Sequence, residues 1–347
     1  MFPLSEGHFA ARNRWYIAAW SDEITRTPIE RWILDEPVAL YRQENGVPVG
    51  LDGRCPHHLY PLGKSGTKND NIVCDYHGLE FQPDGTCIGA PFLEGVPGAC
   101  NVKSYQLREK WNWIWIWPGD PELADESLIP DHFEIGVTNP AYHAVRGLRL
   151  DIAARYQLLN DNLLDLQHLE VLHAGILGND GIGQADEERG SGEDWILSAR
   201  KMRDIELPKA FQPFFGQRRV DRTLTMNWHI PGLHVGPDIF TVPEGEPDAG
   251  REIMQVIAYH ALTPARRNSC HYFVTFARSF AHGDEAVDQA MLKSFRGVLD
   301  QDVFAAEEIE KQLQNASTPQ KEILFKSDAT LVIGRRLLEQ IIAAETT

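Results

Sequence analysis

Short runs of alternating apolar and polar residues, separated by Gly, Pro and Asn, fill the first third of the chain. Residues 32–34, 38–42, 47–51, 71–74, 87–89 and 113–117 carry the two-residue period of strands, and the breakers between them suit antiparallel hairpins. Trp113-Ile114-Trp115-Ile116-Trp117 alternates two bulky types, so both faces of that strand are expected to be buried, as core and not as a ligand cage. Pro118-Gly119-Asp120-Pro121 then interrupts the pattern and suggests two domains, 1–118 and 119–347.

Beyond that break the period changes. Residues 142–154 read as extended, and 156–173 as one helix with Leu158, Leu159, Leu163, Leu166 and Leu169 on its apolar side. Residues 179–193 are rich in Gly and acid and lack a period, so a mobile loop that covers a site is expected there. Strands follow at 224–230, 253–262 and 269–276, with a turn at Pro243-Glu244-Gly245-Glu246-Pro247. From about Glu285 onward Ala, Glu, Leu and Gln dominate and predict helix. Strands followed by segregated helices give an α+β fold: an N-terminal antiparallel-β domain and a C-terminal domain whose central antiparallel sheet is flanked by helices.

At 347 residues and 43% hydrophobic, the chain can bury two cores. No apolar run approaches the roughly 20 residues of a membrane span, and residues 1–6 lack the basic and apolar regions of a signal peptide, so a cytoplasmic location is expected. Five cysteines fit a reducing compartment. A net charge of −17 argues against nucleic acid and anionic membrane as partners. From Tyr41 to Pro118, however, seven Lys/Arg stand against eight Asp/Glu, so the excess acidity lies elsewhere. The surface near Arg54, Lys64 and Lys68 is therefore suited to an acidic redox donor.

The candidate chemistry lies in two places. Cys55-Pro56-His57 and Cys74-Asp75-Tyr76-His77 form two Cys/His arms separated by sixteen residues. A Cys2His2 zinc site uses the same ligand types. Each arm is followed by loop-forming residues (Pro61-Leu62-Gly63; Gly78), which better suits a Rieske [2Fe–2S] cluster with two thiolates on one iron and two imidazoles on the other. Respiratory Rieske proteins carry an additional cysteine in each loop. Tyr60 and Tyr76 stand at those positions here, so a cluster near the low end of the range of about −150 to +300 mV is expected. Further along, His168 and His173 lie five residues apart with Asp165 three residues before the first. On a regular helix the two imidazoles would diverge by about 140°, so they can share a metal only where the helix breaks.

Together with Arg14-Trp15-Tyr16-Ile17-Ala18-Ala19-Trp20, Trp115-Ile116-Trp117-Pro118-Gly119-Asp120-Pro121 and Asp161-Asn162-Leu163-Leu164-Asp165, these motifs run nearly end to end. The chain resembles a Rieske non-haem iron oxygenase α-subunit, and most closely the monooxygenase branch that includes the vanillate O-demethylase, dicamba and toluenesulfonate monooxygenase components. The resemblance implies that His168, His173 and a helical carboxylate hold mononuclear Fe(II) where O2 reacts. Asp302 fits that carboxylate best, with Asp300 as the alternative. It implies a homotrimer in which Asp165 accepts hydrogen bonds from His77 of one subunit and His168 of the next, giving electrons a route between the metals. Electrons are expected from a ferredoxin and/or a flavin reductase that uses NAD(P)H. The implied reaction is O-demethylation or methyl hydroxylation of a small aromatic substrate, most simply an acid. His260, Trp228, His234, Asp238 and Phe295 are pocket candidates, with His229 and Phe240 beside them. Two other readings remain at this point: a ring cis-dihydroxylase or hydroxylase of another scaffold, and a pure electron carrier.

Overall fold

The computed structural model describes residues 9–92, 94–318 and 321–345, so residues 1–6 lie outside it. The fold is α+β. It divides into a unit formed by Ala10–Ile129 with Thr263–Arg267, and one built from Pro130–Leu262 and Asn268–Thr347. The division thus follows Ile129 and not Pro118. The breaker turns the chain without releasing it, because Trp117 Nε1 donates to the Asp120 carbonyl at 2.7 Å and Trp15 Nε1 to the Asp125 carbonyl at 2.8 Å.

The first unit holds three antiparallel sheets. Trp113–Trp117 is buried along its whole length, between Tyr16–Trp20 and Gln106–Lys110. Ile29–Ile33, Glu36–Arg42 and Pro48–Asp52 form a second sheet. Gly66–Lys68, Asn71–Val73, Glu80–Phe81 and Cys87–Gly89 form the third. Tyr41, Leu51, Leu62, Ile72 and Phe81 pack around Cys55 and Cys74 in one core.

The other unit is organised by an eight-stranded sheet in which Asp186–Ser191, Trp195–Glu206, Arg219–His229, Leu233–Thr241, Glu252–Arg266 and Ser269–Arg278 follow one another. Ser269–Arg278 also pairs with His143–Ala144 and Leu148–Ile152, so the extended segment expected at 142–154 consists of two strands. The loop expected at 179–193 needs correction. Asp186–Ser191 is an edge strand paired with 196–201, nearly all of it exposed. With both faces in solvent it needs no apolar alternation, because the backbone ladder and the cross-strand pairs Glu187–Arg200 at 3.0 Å and Glu188–Lys201 at 2.8 Å hold it, and periodicity therefore cannot detect it.

The helices are α1 (Tyr156–Leu164), α2 (His168–Val171), α3 (Gln212–Phe215), α4 (Glu285–Asn315) and α5 (Ala329–Ala344). The single helix expected over 156–173 is in fact α1 and α2, with a break at 165–167. Asp284 caps α4 by accepting from the Ala286 and Val287 amides at 3.0 and 3.2 Å. The buried stripe of α4 runs through Met291, Phe295, Val298, Leu299, Asp302, Ala306 and Glu310, with the three-to-four-residue spacing of one helix face. Glu310 ties that face to the start of α1, because Arg155 donates to it from Nε at 2.6 Å and Nη2 at 2.9 Å. Among the described residues no helix is long and apolar enough to cross a membrane.

Candidate metal centres and substrate cleft

The two Cys/His arms fold into loops of the same form. In the first, the Cys55 amide donates to the Tyr60 carbonyl at 2.9 Å and the Leu59 amide returns to the Cys55 carbonyl at 2.8 Å. In the second, Cys74 and Leu79 make the first bond at 2.8 Å, and Gly78 and Cys74 the second at 2.8 Å. Leu59 and Gly78, at the same loop position, both take positive φ, +58° and +77°, which reverses the chain tightly after each histidine. Each loop thereby sinks its cysteine into the core, at 1% exposure for Cys55 and Cys74, and leaves its histidine nearer solvent.

The imidazoles of His57 and His77 approach to 4.7 Å between ring centres. His58 stacks on His57 at 3.9 Å. The residues present fit a cluster by two observations. His77 Nδ1 is buried without a hydrogen-bond partner, a cost that a ligand at that atom removes. Burial pushes the Cys55 thiol up to about 11, with Cys74 beside it adding to the shift, so the thiolate form calls for a cation such as iron.

In the other unit the break between α1 and α2 resolves the angular problem of His168 and His173. His168 opens α2 and His173 lies beyond its end, so the two rings are not bound to one helical phase. Their Nε2 atoms stand 3.2 Å apart, and Asp302 Oδ1 lies 3.6 Å from His168 Nε2 and 3.2 Å from His173 Nε2. All three donor atoms lie within 4.8 Å of one another. Each ring is held from behind. His168 Nδ1 bonds to the Asp165 main-chain carbonyl, and His173 Nδ1 donates to Gln301 Oε1 at 2.8 Å. Asn162 Nδ2 donates to Asp302 Oδ1 at 3.1 Å.

Both Nε2 atoms are thereby turned toward the carboxylate with their lone pairs available, which is the arrangement of a two-histidine, one-carboxylate iron site. Burial pulls the His168 pKa down. It also acts on His173, but there the hydrogen bond and charge of Asp302, followed by the Gln301 bond, raise the value overall.

The contact expected between the Asp165 carboxylate and His168 takes a different form. The carbonyl meets the ring, while the carboxylate accepts from the Gln167 amide at 3.1 Å, because Asp165 closes α1 and must terminate its last turn. The two acids of α4 are sharply different. Asp302 is 5% exposed, whereas Asp300 faces solvent and pairs with Arg296 at 2.7 Å.

A cleft opens beside these three residues. Its walls are mostly apolar, from Leu163, Leu166 and Leu169 near α1 and α2 to Phe295, Val298 and Leu299 on α4. Of the sequence-predicted pocket residues, Asp238, His260 and Phe295 line it.

Trp228 and His234 do not. They face each other across neighbouring strands, stacked at 5.3 Å and 3° between ring planes, and His234 Nε2 bonds to Asn160 at 2.9 Å. Their strand alternation is that of the cleft residues Arg222, Leu224 and Met226, but they lie farther along the strand, beyond the end of the cleft. His229 and Phe240 also lie outside it, Phe240 packed on Phe211 at 5.3 Å.

Three residues that sequence reasoning missed matter here: Gln301, Asn162 and Arg222. Only Arg222 carried a signal, a charge at an inward position of an alternating strand.

Residues 14–106 match the family model of the Rieske [2Fe–2S] domain, and residues 152–344 match that of the vanillate O-demethylase oxygenase C-terminal domain. The oxygenase component of dicamba O-demethylase from Stenotrophomonas maltophilia is 34% identical over 96% of this chain and 99% of its own length. The iron-sulfur subunit of the toluene-4-sulfonate monooxygenase system from Comamonas testosteroni is 32% identical over 96% of this chain and 97% of its own. A crystal structure of dicamba monooxygenase bound to 3,6-dichlorosalicylic acid superposes with a TM-score of 0.88 at 32% identity, over 97% of this chain and 98% of that one. The same enzyme with non-heme iron and dicamba gives 0.79 at 31%, over 96% and 98%. Similarity of this extent, on both halves of the chain at once, makes it a member of the Rieske non-haem iron oxygenases, an oxygenase component of the group that contains the vanillate and dicamba O-demethylases.

Proposed function

We propose that the chain is the terminal oxygenase of a multicomponent system and hydroxylates a methyl or methoxy carbon of a small aromatic compound. Cys55, His57, Cys74 and His77 are assigned to the [2Fe–2S] cluster, and His168, His173 and Asp302 to mononuclear Fe(II). The observation that carries this reading is the convergence of two imidazole Nε2 atoms and one carboxylate oxygen at the wall of an apolar cleft. When bound, the cluster supplies single electrons, and iron with open positions beside two imidazoles and a carboxylate activates O2.

The protein's own groups do the remaining work. Gln301 and the Asp165 carbonyl hold the two histidines with Nε2 forward, and Asn162 holds Asp302. The leucine and phenylalanine walls exclude water and present one carbon of the substrate to the donor atoms. Hydroxylation of a methoxy carbon gives a hemiacetal that loses formaldehyde, so the net result is O-demethylation.

Likeness to the family further assigns Asp165 as the bridge to His77 of a neighbouring subunit, in a cytoplasmic homotrimer. It also assigns the electron supply to a ferredoxin and/or a flavin reductase using NAD(P)H. The position of Asp165 supports the bridge, half-buried at the α1–α2 break and bonded to His168 through its carbonyl.

Single turnover tests the reading. The purified protein is reduced, freed of reductant, and given O2 with a panel of methoxy- and methyl-substituted aromatics. Formaldehyde matching demethylated product, or a benzylic alcohol, is expected. A ring diol would replace this reading with dihydroxylation. Absence of product together with about two irons per two acid-labile sulfides, in place of about three, would make the chain an electron carrier.

A further inference from the structure

Arg222 is the one Lys or Arg among the described residues lining the cleft, and its charge is already matched. Its Nε and Nη2 donate to the two oxygens of Asp238, each at 2.8 Å. Its Nη1 donates to the Leu177 carbonyl at 2.9 Å and to Asn179 Oδ1 at 2.7 Å. Both oxygens of Asp238 accept, as an ionised carboxylate does, so the pair is bidentate and neutral overall. Arg222 is 1% exposed and its guanidinium rests against Phe240, 5.4 Å from the ring centre, which leaves it no room to turn toward another anion.

The other polar side chain of the cleft outside the three metal-facing residues is His260, whose Nδ1 lies 2.7 Å from the Tyr272 hydroxyl. That hydroxyl has no second hydrogen-bond partner among the described residues, so it donates to Nδ1 and leaves the imidazole proton on Nε2.

We infer that the cleft takes an uncharged aromatic substrate, an ether carrying an amide or ester and not a carboxylate, with His260 Nε2–H donating to an oxygen of it. The inference rests on the oxygenase reading only in taking this cleft as the substrate site. An anion moved into it would lose its hydration against leucine, valine and phenylalanine walls and find the guanidinium already paired. A neutral carbonyl or ether oxygen needs one donor, and His260 supplies it. This departs from the aromatic acid that family resemblance alone favours.

The test compares para-methoxybenzamide and methyl para-methoxybenzoate with para-methoxybenzoate on the holoenzyme. Dissociation constants are measured by equilibrium dialysis at neutral pH, with single-turnover product as a second readout. The neutral ligands are expected to bind at least about tenfold more tightly than the acid. Asp238→Asn removes the matching charge, so it is expected to raise the affinity for the acid relative to that for the amide by about tenfold. Should that variant not fold, the wild-type comparison decides alone.

Tighter binding of the acid, or no binding of either neutral ligand, would overturn the inference. Acid that binds more tightly and is demethylated would do so while leaving the oxygenase reading in place. Neutral ligand bound but never oxidised would sustain the charge rule and refute the oxygenase reading.

Discussion

Replacing Gln301 by Leu tests how the histidines are made into ligands. His173 is 2% exposed, and its Nδ1–H has Gln301 Oε1 as acceptor at 2.8 Å. Leucine nearly matches the volume and removes the acceptor. The buried N–H is then unsatisfied, at a cost of about 1–3 kcal/mol, unless the proton moves to Nε2. At Nε2 it can donate to Asp302 Oδ1, 3.2 Å away, which satisfies the ring but blocks the lone pair that a metal needs. Restoring the ligating tautomer then reinstates the same penalty, so metal affinity falls by about 10- to 100-fold, or about 1.4–2.7 kcal/mol.

Anaerobic competitive titration of Co(II) into the mononuclear site measures this, with the absorbance of the Rieske cluster as the internal control. Gln301→Glu restores an acceptor for Nδ1–H and should return the affinity to wild type or above. An affinity for the Leu variant within about twofold of wild type, or no rescue by Glu, would refute the argument that Gln301 sets the tautomer.

The acids of α4 give a sharper contrast: Asp302→Ala should abolish mononuclear iron while leaving the cluster spectrum intact, whereas Asp300→Ala, which loses a solvent-facing pair with Arg296, should leave iron content unchanged. Asp165→Asn should slow reoxidation of the reduced cluster by O2 about tenfold or more with iron content preserved; rapid reoxidation in stopped flow would exclude the bridge. Glu310→Gln should destabilise the fold by about 3 kcal/mol in denaturant melts, because it leaves the half-buried Arg155 against a neutral partner. Burial raises the Glu310 pKa, but the Arg155 hydrogen bonds outweigh it and hold the carboxyl below its ordinary value. The stabilisation is therefore present above the unfolded carboxylate pKa of about 4.3 and is lost as pH falls through the lower folded value, so the variant should show a flatter acid limb.

The Cys/His arms are legible in the sequence because each loop is local, with a cysteine, a histidine two or three residues on and a reversal soon after. The His168–His173 pair is half legible. Spacing shows that a regular helix cannot serve it, but whether the helix breaks is decided by packing around Asp165, and the break appears in the structure at 165–167.

Asp302 rested on resemblance. The physical signal was nevertheless in the chain: Phe295, Val298, Leu299, Asp302 and Ala306 share one face of α4, and an acid on an apolar stripe is an anomaly that asks for a partner. Depth along a strand was the part that could not be read. Alternation places Trp228 on the face of Arg222, Leu224 and Met226, yet only tertiary packing determines that the cleft ends before Trp228 and that His234 covers it.

The same packing decides how selectivity can arise. Arg222 and Asp238 satisfy each other, and His260 is held on one side by Tyr272. Among the described cleft residues outside the three that face the metal, His260 Nε2–H is then the imidazole donor able to orient a ligand, beside a guanidinium held by Asp238. One hydrogen bond defines a point and leaves rotation about it, so the carbon brought to the reacting centre must be chosen by shape. The walls able to do this are Leu166, Phe295 and Val298, whose volumes set how far the ring can turn. A change of one methylene there alters discrimination by only about 1–3 kcal/mol, whereas removing the His260 donor leaves a substrate oxygen unpaired in an apolar cleft. Substitutions at the walls should therefore redirect which carbon is oxidised, and substitution of His260 should decide whether an oxygenated ring is held at all.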